Sequence, residues 1–155
     1  MYRKILSVLI AFTMICITAD FALSEVKMKK GQTVYVPVYS HVLIGPRGNA
    51  FNLAVTLAIR NTDLKYPITV FAADYFNTDG KLVRKFISNP VKLDPMASTH
   101  LLIEEADTSG GIGANFIIRW KAERDVNVPV IESVMIGGSL GQGISFISSG
   151  QEITE

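Results

Sequence analysis

The sequence predicts an all-β chain behind an N-terminal signal helix: an antiparallel, immunoglobulin-like β-sandwich of seven to nine strands, with a small β-barrel as the alternative. Three observations lead there. Phe51, Leu53, Val55, Leu57 and Ile59 alternate with Asn52, Ala54, Thr56, Ala58 and Arg60, the period of two that marks a half-buried strand. Short apolar runs recur beyond residue 30 with Gly, Pro, Asn and Asp between them, the punctuation of turns. None of these runs keeps the 3.6-residue apolar period of an amphipathic helix.

The first segment has a different character. Arg3 and Lys4 precede an apolar run over 5–19, interrupted by Ser7, Thr13 and Thr18 and closed by Asp20. At a helical rise of about 1.5 Å per residue the run spans roughly 22 Å, short of a hydrocarbon core of about 30 Å. Ala22-Leu23-Ser24 places small residues at the −3 and −1 positions for cleavage before Glu25. This is the three-part pattern of a signal peptide over 1–24, and it implies a periplasmic or secreted product with no membrane span after cleavage. Cys16 follows the bulky Met14-Ile15 inside the run, so the small residue that precedes a lipidated cysteine is missing.

Residues 1–24 hold two of the 15 basic residues, one of the 14 acidic ones and the lone cysteine, so the remainder is neutral and cysteine-free. Thiol catalysis, cysteine–zinc sites and iron–sulfur clusters are excluded for it, and an exported domain of this size must rely on core burial without a disulfide. Neutrality also argues against a nucleic-acid partner, whose footprint is a basic patch.

After a charged lead-in over 25–30, a single domain is expected over 31–150, with a tail over 151–155. Its first strand covers 33–39, where Pro37 marks an edge or a bulge. The alternating strand over 51–60 follows. Residues 67–76 are more continuously apolar and read as a central strand covered on both faces. Asn77-Thr78-Asp79-Gly80 is a hairpin turn, because Asp-Gly tolerates positive φ, and 81–87 is the returning strand. A short strand over 91–93 precedes a turn at Asp94-Pro95, and strands over 98–103, 115–122, 128–136 and 144–148 complete the set. Trp120 lacks the cysteine pair of antibody domains, so the immunoglobulin likeness is one of architecture alone.

The motifs with catalytic overtones each meet a plainer reading. Asp107-Thr108-Ser109-Gly110 approaches the Asp-Thr-Gly triplet of aspartic proteases, but Ser109 occupies the required glycine position and no second copy exists. A turn leading into the glycine loop 110–113 explains it. Asn77, Asp79 and Gly80 overlap an EF-hand loop, yet Tyr75 and Phe86 stand where its first and last carboxylates belong. His41 and His100 are the only histidines and form no local ligand pair. The glycine clusters 110–113 and 137–143 match no phosphate loop and serve turns, bulges or close packing, with a binding rim at one end of the sandwich as their possible use. The aromatics, Tyr35, Tyr66, Phe71 and Trp120 among them, suit either a carbohydrate platform or ordinary core pairs.

Several segments together resemble a known family. Residues 31–41 (Gly-Gln-Thr-Val-Tyr-Val-Pro-Val-Tyr-Ser-His), Ile59-Arg60-Asn61-Thr62-Asp63 and Asp74-Tyr75 through Asp79-Gly80-Lys81-Leu82-Val83 carry the resemblance. So do Asp107-Thr108-Ser109-Gly110-Gly111, Gly113-Ala114-Asn115-Phe116, Val134-Met135-Ile136-Gly137 and Gln142-Gly143-Ile144-Ser145-Phe146. In that order they are similar to the uncharacterised bacterial exported family domain of unknown function 3124. The resemblance implies a single-domain envelope protein and brings no catalytic residue with it.

The expectation is a non-enzymatic envelope module that binds a protein or ligand through an exposed sheet edge or its loops, with no cofactor and no metal. The candidate interaction residues are Asn61, Asp63, Asp74, Asp79, Asp107, Ser109, Gly110, Gly113, Gly137 and Gly143. The alternative is a hydrolase whose loop carboxylates Asp74, Asp79 and Asp107 converge, beside His41 or His100.

Overall fold

Alternation of apolar and polar residues is converted into two facing sheets. The computed structural model describes residues 27–139 and 141–154; the expected signal helix and its cleavage segment lie outside the described residues. The strands among the described residues are β1 (Met28–Pro37), β2 (His41–Ile44), β3 (Asn49–Asn52), β4 (Ala54–Arg60), β5 (Ile68–Phe76), β6 (Leu82–Lys85), β7 (Val91–Leu93), β8 (Ser98–Ile103), β9 (Asn115–Asn127), β10 (Val130–Ser139), β11 (Gln142–Ser149) and β12 (Gln151–Ile153). One sheet has the order β12-β1-β9-β5-β6, with β7 also paired to β5. The second has the order β11-β10-β4-β8, and β2-β3 form a separate hairpin. Among the described residues all pairings are antiparallel and no sheet closes on itself, so the sandwich holds and the barrel does not.

The period of two decides which residues meet between the sheets. Val34, Val36, Val70, Tyr75, Phe116, Ile118 and Trp120 come from the larger sheet, and Val55, Leu57, Ile59, Ile131 and Met135 from the smaller one; all are buried. Full burial of each large apolar side chain contributes about 1.5–3 kcal/mol, the source of stability that a cysteine-free domain needs. Trp120 sits in this core with its Nε1–H directed at Gln32 Oε1, 3.3 Å away, so its polar atom is satisfied.

The structure corrects the sequence reading in several places. There are more than the expected nine strands. The alternating run breaks at Leu53 into β3 and β4, because the amide of Leu53 donates to Ser40 O at 2.9 Å and leaves the ladder there. The lead-in becomes strand from Met28, and the tail forms β12, which pairs with β1 through Thr33, Val34 and Tyr35. β5 is not covered on both faces: its burial alternates and Phe71 is 41% exposed. The segment 137–143 is not a free glycine loop, since β10 runs to Ser139 and β11 starts at Gln142.

One side of the sandwich is closed covalently. β11 is an edge of the smaller sheet and β12 an edge of the larger, and one residue, Gly150, carries the chain between them. Its amide donates to Ile131 O at 2.8 Å, while Ser133 on β10 donates its hydroxyl across the core to Pro37 O at 2.7 Å. A Cβ on Gly150 would lie 2.7 Å from Val34 Cγ1 and 2.9 Å from Ile131 O, too close for any side chain. Gly150→Ala is therefore expected to cost about 1–3 kcal/mol by overpacking. Gly138→Ala, whose nearest atom is 4.0 Å away, is expected to stay within about 0.5 kcal/mol. Urea denaturation of the two variants measures the difference, and equal stabilities would contradict the crossing as a tight point.

Candidate functional site

The opposite side of the sandwich is not closed in this way. There β6 ends the larger sheet and β8 ends the smaller one, each with one edge unpaired among the described residues. Between them lies an open groove of about 800 Å³ lined by Val83, Arg84, Leu102, Glu104, Ala106, Asp107 and Ser109. Its geometry begins with a bulge. Tyr75 pairs with Arg84 and Phe76 with Leu82, which leaves Val83 as an extra residue on β6. Such a bulge turns the strand and re-aims its side chains, here giving the groove both Val83 and Arg84.

Across the groove, the segment after β8 is held by charge and by a turn. Asp107 Oδ2 accepts from Arg84 Nη2 at 3.1 Å, and Asp107 Oδ1 accepts both the amide and the hydroxyl of Ser109. The Ser109 hydroxyl, then its amide, then the Arg84 charge hold the Asp107 carboxyl below its ordinary range. Arg84 also lies over the Phe86 ring, 5.1 Å from its centroid. Behind the ion pair, Tyr75 is fully buried against Phe86 and Phe116, and burial raises its phenol above the usual value. The Tyr75 hydroxyl lies against Gly110 with no hydrogen-bond partner among the described residues, and a Cβ on Gly110 would come within 1.8 Å of it. Only glycine leaves this space.

The loop 108–114 is clamped from two sides. Thr78 donates from its amide and hydroxyl to Gly110 O at 2.8 and 3.0 Å and accepts the Gly113 amide at 3.0 Å. Ser40 donates its amide to Gly111 O at 3.1 Å, and its hydroxyl accepts the Gly111 amide at 2.9 Å. Asp79 belongs to the hairpin turn, where Asn77 Oδ1 accepts the amides of Asp79 and Lys81 and Gly80 takes a φ of 73°. Glycine and hydroxyl residues thus fix the rim of the groove by backbone bonds.

Asn61 and Asp63 occupy a different place, at the exit of β4. Both are buried, and every side-chain atom has work within the fold. Asn61 Nδ2 donates to Tyr66 O, Asp94 O and Leu93 O at 2.9, 3.0 and 3.2 Å, and its Oδ1 accepts the Asp63 amide. Asp63 accepts the amides of Lys65, Tyr66 and Asn127 at 2.9, 2.9 and 3.0 Å. This polar knot ties three connections together: the one after β4, the one before β8 and the end of β9.

The sequence-proposed residues therefore separate. Asp107, Ser109, Gly110 and Gly113 gather at the groove and its rim. Asp74 lies apart: it pairs across the strand with Lys85 and is bound by Arg119 Nη1 at 3.3 Å, whereas its neighbour Tyr75 points into the core. Gly137 is buried in β10, where a Cβ would meet Asn52 O at 2.4 Å, and Gly143 faces Gly138 in the β10–β11 ladder. His41 contacts Ser40 Oγ through Nδ1 at 3.3 Å, and His100 is exposed on β8 opposite Ala58, so neither histidine lines the groove. Among the described residues no three His, Cys, Asp or Glu side chains are grouped to hold a metal ion. Val83, Arg84, Leu102, Glu104 and Ala106 were missed by the sequence reading, because the groove they line is made by strand ends from different sheets and leaves no local signal in the sequence.

Comparison with known proteins adds a family. The model of the family described as "Protein of unknown function (DUF3124)" matches residues 31–153. No curated protein matches the chain. A solved protein of Thermotoga maritima, described as "Crystal Structure of Thermotoga maritima 1070", is similar over 80% of this chain and 96% of that one, at 18% identity and a TM-score of 0.47.

The Asp63 carboxyl is held below its ordinary range by the Asn127 amide first, then by those of Lys65 and Tyr66. The unfolded chain therefore binds its proton first as the pH falls. The contribution of Asp63 to stability is complete above the unfolded aspartate value of about 3.9 and is lost as the pH drops through the lower folded value. Asp63→Asn is expected to remove part of this acid limb. Thermal melts between neutral pH and pH 3 test it, and an unchanged slope in the variant would contradict the assignment.

Proposed function

The chain belongs to the DUF3124 family of proteins of unknown function, and from that premise we propose that it is an exported, non-enzymatic binding module of the bacterial envelope that docks its partner at the β6–β8 groove. The observation that carries the reading is the combination found there: two sheet edges without a partner strand among the described residues, an open groove and large exposed apolar side chains. Leu82 is 47% exposed, Val83 37% and Leu102 53%. Unprotected edges are avoided in β proteins because their free N–H and C=O groups pair with other chains, and apolar residues on such an edge strengthen the tendency. A functional edge is the exception.

The same geometry speaks against hydrolysis. Asp107, the one proposed carboxylate in the groove, is kept ionised by Ser109 and Arg84 and is a weak base at neutral pH. Asp74 is bound to Arg119 away from it. Protein recognition asks less of these groups, because a rigid rim and a mixed lining suffice. The leader over 1–24 places the module outside the cytoplasm in this reading.

Capture from envelope extract on the immobilised mature chain, followed by mass spectrometry, tests the proposal. Leu102→Asp is expected to reduce the captured partner by about tenfold or more, a loss of about 1.4 kcal/mol, without lowering the melting temperature appreciably. The same capture by wild type and variant would overturn the groove as the docking site. N-terminal sequencing of the exported product is expected to begin at Glu25, and a retained leader would overturn the export reading.

A further inference from the structure

The two strands that border the groove differ as edges. β6 is four residues long, its pairing with β5 is broken by the bulge at Val83, and it carries exposed Arg84 and Lys85. Short length, a bulge and cations are the devices that keep an edge from accepting another strand. β8 has none of them. It pairs with β4 without a register shift, and its six residues, Ser-Thr-His-Leu-Leu-Ile, hold no proline, lysine or arginine.

The hydrogen-bond pattern identifies the unused groups of β8. Arg60 lies opposite Ser98, and the next amide, that of Asn61, donates to Ala97 O at 2.9 Å. Hydrogen-bonded and non-bonded pairs alternate along an antiparallel ladder. Thr99, Leu101 and Ile103 therefore bond β4, whereas Ser98, His100 and Leu102 direct N–H and C=O away from it. Among the described residues no strand lies on that side. A row of donors and acceptors at this spacing is matched by the backbone of another extended segment.

The side chains around that row specify the segment further. Leu102 ends a row across the outer face of the smaller sheet, Leu102–Thr56–Val134–Ile147, with Ile147 61% exposed. Beyond Ile103 the chain turns, and Glu104 O accepts the Asp107 amide at 2.9 Å. The exposed Glu104 side chain lines the groove with no ion pair among the described residues. An incoming strand thus fits best with an apolar residue beside Leu102 and a cation within reach of Glu104. A second copy does not bring that cation on its own uncharged edges, since neither β8 nor β11 contains Lys or Arg.

We infer that the partner at the groove is a different protein, which adds an extended segment to the open edge of β8, with an apolar residue beside Leu102 and a Lys or Arg at Glu104. The inference rests on the groove being the docking site and names what enters it.

The probe is a capped peptide of about eight residues in which Thr and Val alternate around one central Lys, a length within the ordinary range of strands. Added to the isotope-labelled exported chain, it is expected to slow hydrogen exchange of the His100 and Leu102 amides, read by NMR, and to leave those of Ser145 and Ile147 on β11 unchanged. Replacing its Lys by Glu is expected to weaken binding by about tenfold or more, and N-methylation of its edge-facing amides to abolish binding. His100→Pro removes an outward N–H and none that bonds β4, so the variant is expected to keep its circular dichroism and lose the peptide by a similar factor. His100→Ala is expected to retain the peptide, and the N-methylated peptide reads the same bonds in the unaltered chain.

A Lys peptide that does not bind would overturn the inference, as would binding indifferent to N-methylation or to the Lys-to-Glu change, or protection at β11 in place of β8. A β8 dimer of the chain that the peptide dissolves would assign the edge to a second copy and overturn it as well. The two readings fail separately. Envelope capture that is lost in Leu102→Asp but kept in His100→Pro overturns strand addition and leaves the groove as the docking site. Capture indifferent to both variants overturns both.

Discussion

The passage of the chain from one sheet to the other at Gly150 constrains much of the rest. β11 and β12 are successive segments of one strand-like run, so the two sheets must lie edge to edge on that side and cannot slide apart. The close approach requires a residue without a side chain, because Val34 and the Ile131 carbonyl already fill the space. Ser133 reinforces it with a hydroxyl bond through the core to Pro37 O. That bond is part-buried, and its loss is expected to cost about 0.5–1.5 kcal/mol. With this side fixed, β6 and β8 are the opposite edges, neither carrying a further strand among the described residues.

Two polar assemblies hold the connections in place, and they do different work. The Asn61–Asp63 knot uses nearly all its hydrogen-bonding capacity on backbone groups, which is what burial of an amide and a carboxylate demands. It leaves nothing for a ligand and belongs to the scaffold. The Asp107–Ser109–Arg84 arrangement is more exposed, borders an open groove, and fixes the loop that forms one wall. Polar residues alike in sequence thus separate by what surrounds them: one set is consumed by the fold, the other shapes a surface.

Much of the architecture was legible from periodicity. Val55, Leu57 and Ile59 alternate because one face of β4 meets the core, and the Asn77–Gly80 turn is written in residues that cap amides and accept positive φ. β12 was illegible, since Gln151, Glu152 and Ile153 carry no apolar alternation and are held as strand by pairing with β1, a contact between residues far apart in the chain. β5 was misread for a related reason. Its run of apolar residues over 68–73 resembles a strand covered twice, whereas Phe71 on its outer face is accompanied by Lys121 from β9. Asn61 and Asp63 were read as interaction residues, whereas their burial, which turns an apparent loop motif into a structural knot, depends on two other connections arriving at the same place. The groove was hidden most completely. It is made by the ends of two strands in different sheets and a bulge at Val83, none of which has a local signature.

Site-specific photo-crosslinking in cells tests most directly that the side opposite the strand crossing is the working face. A photoreactive amino acid is placed singly at Val83 and Leu102 on the open side and at Gln151 on the closed side, where β12 is exposed. The account predicts discrete adducts from positions 83 and 102 and none from 151. Adducts from 151 alone, with positions 83 and 102 silent, would contradict it.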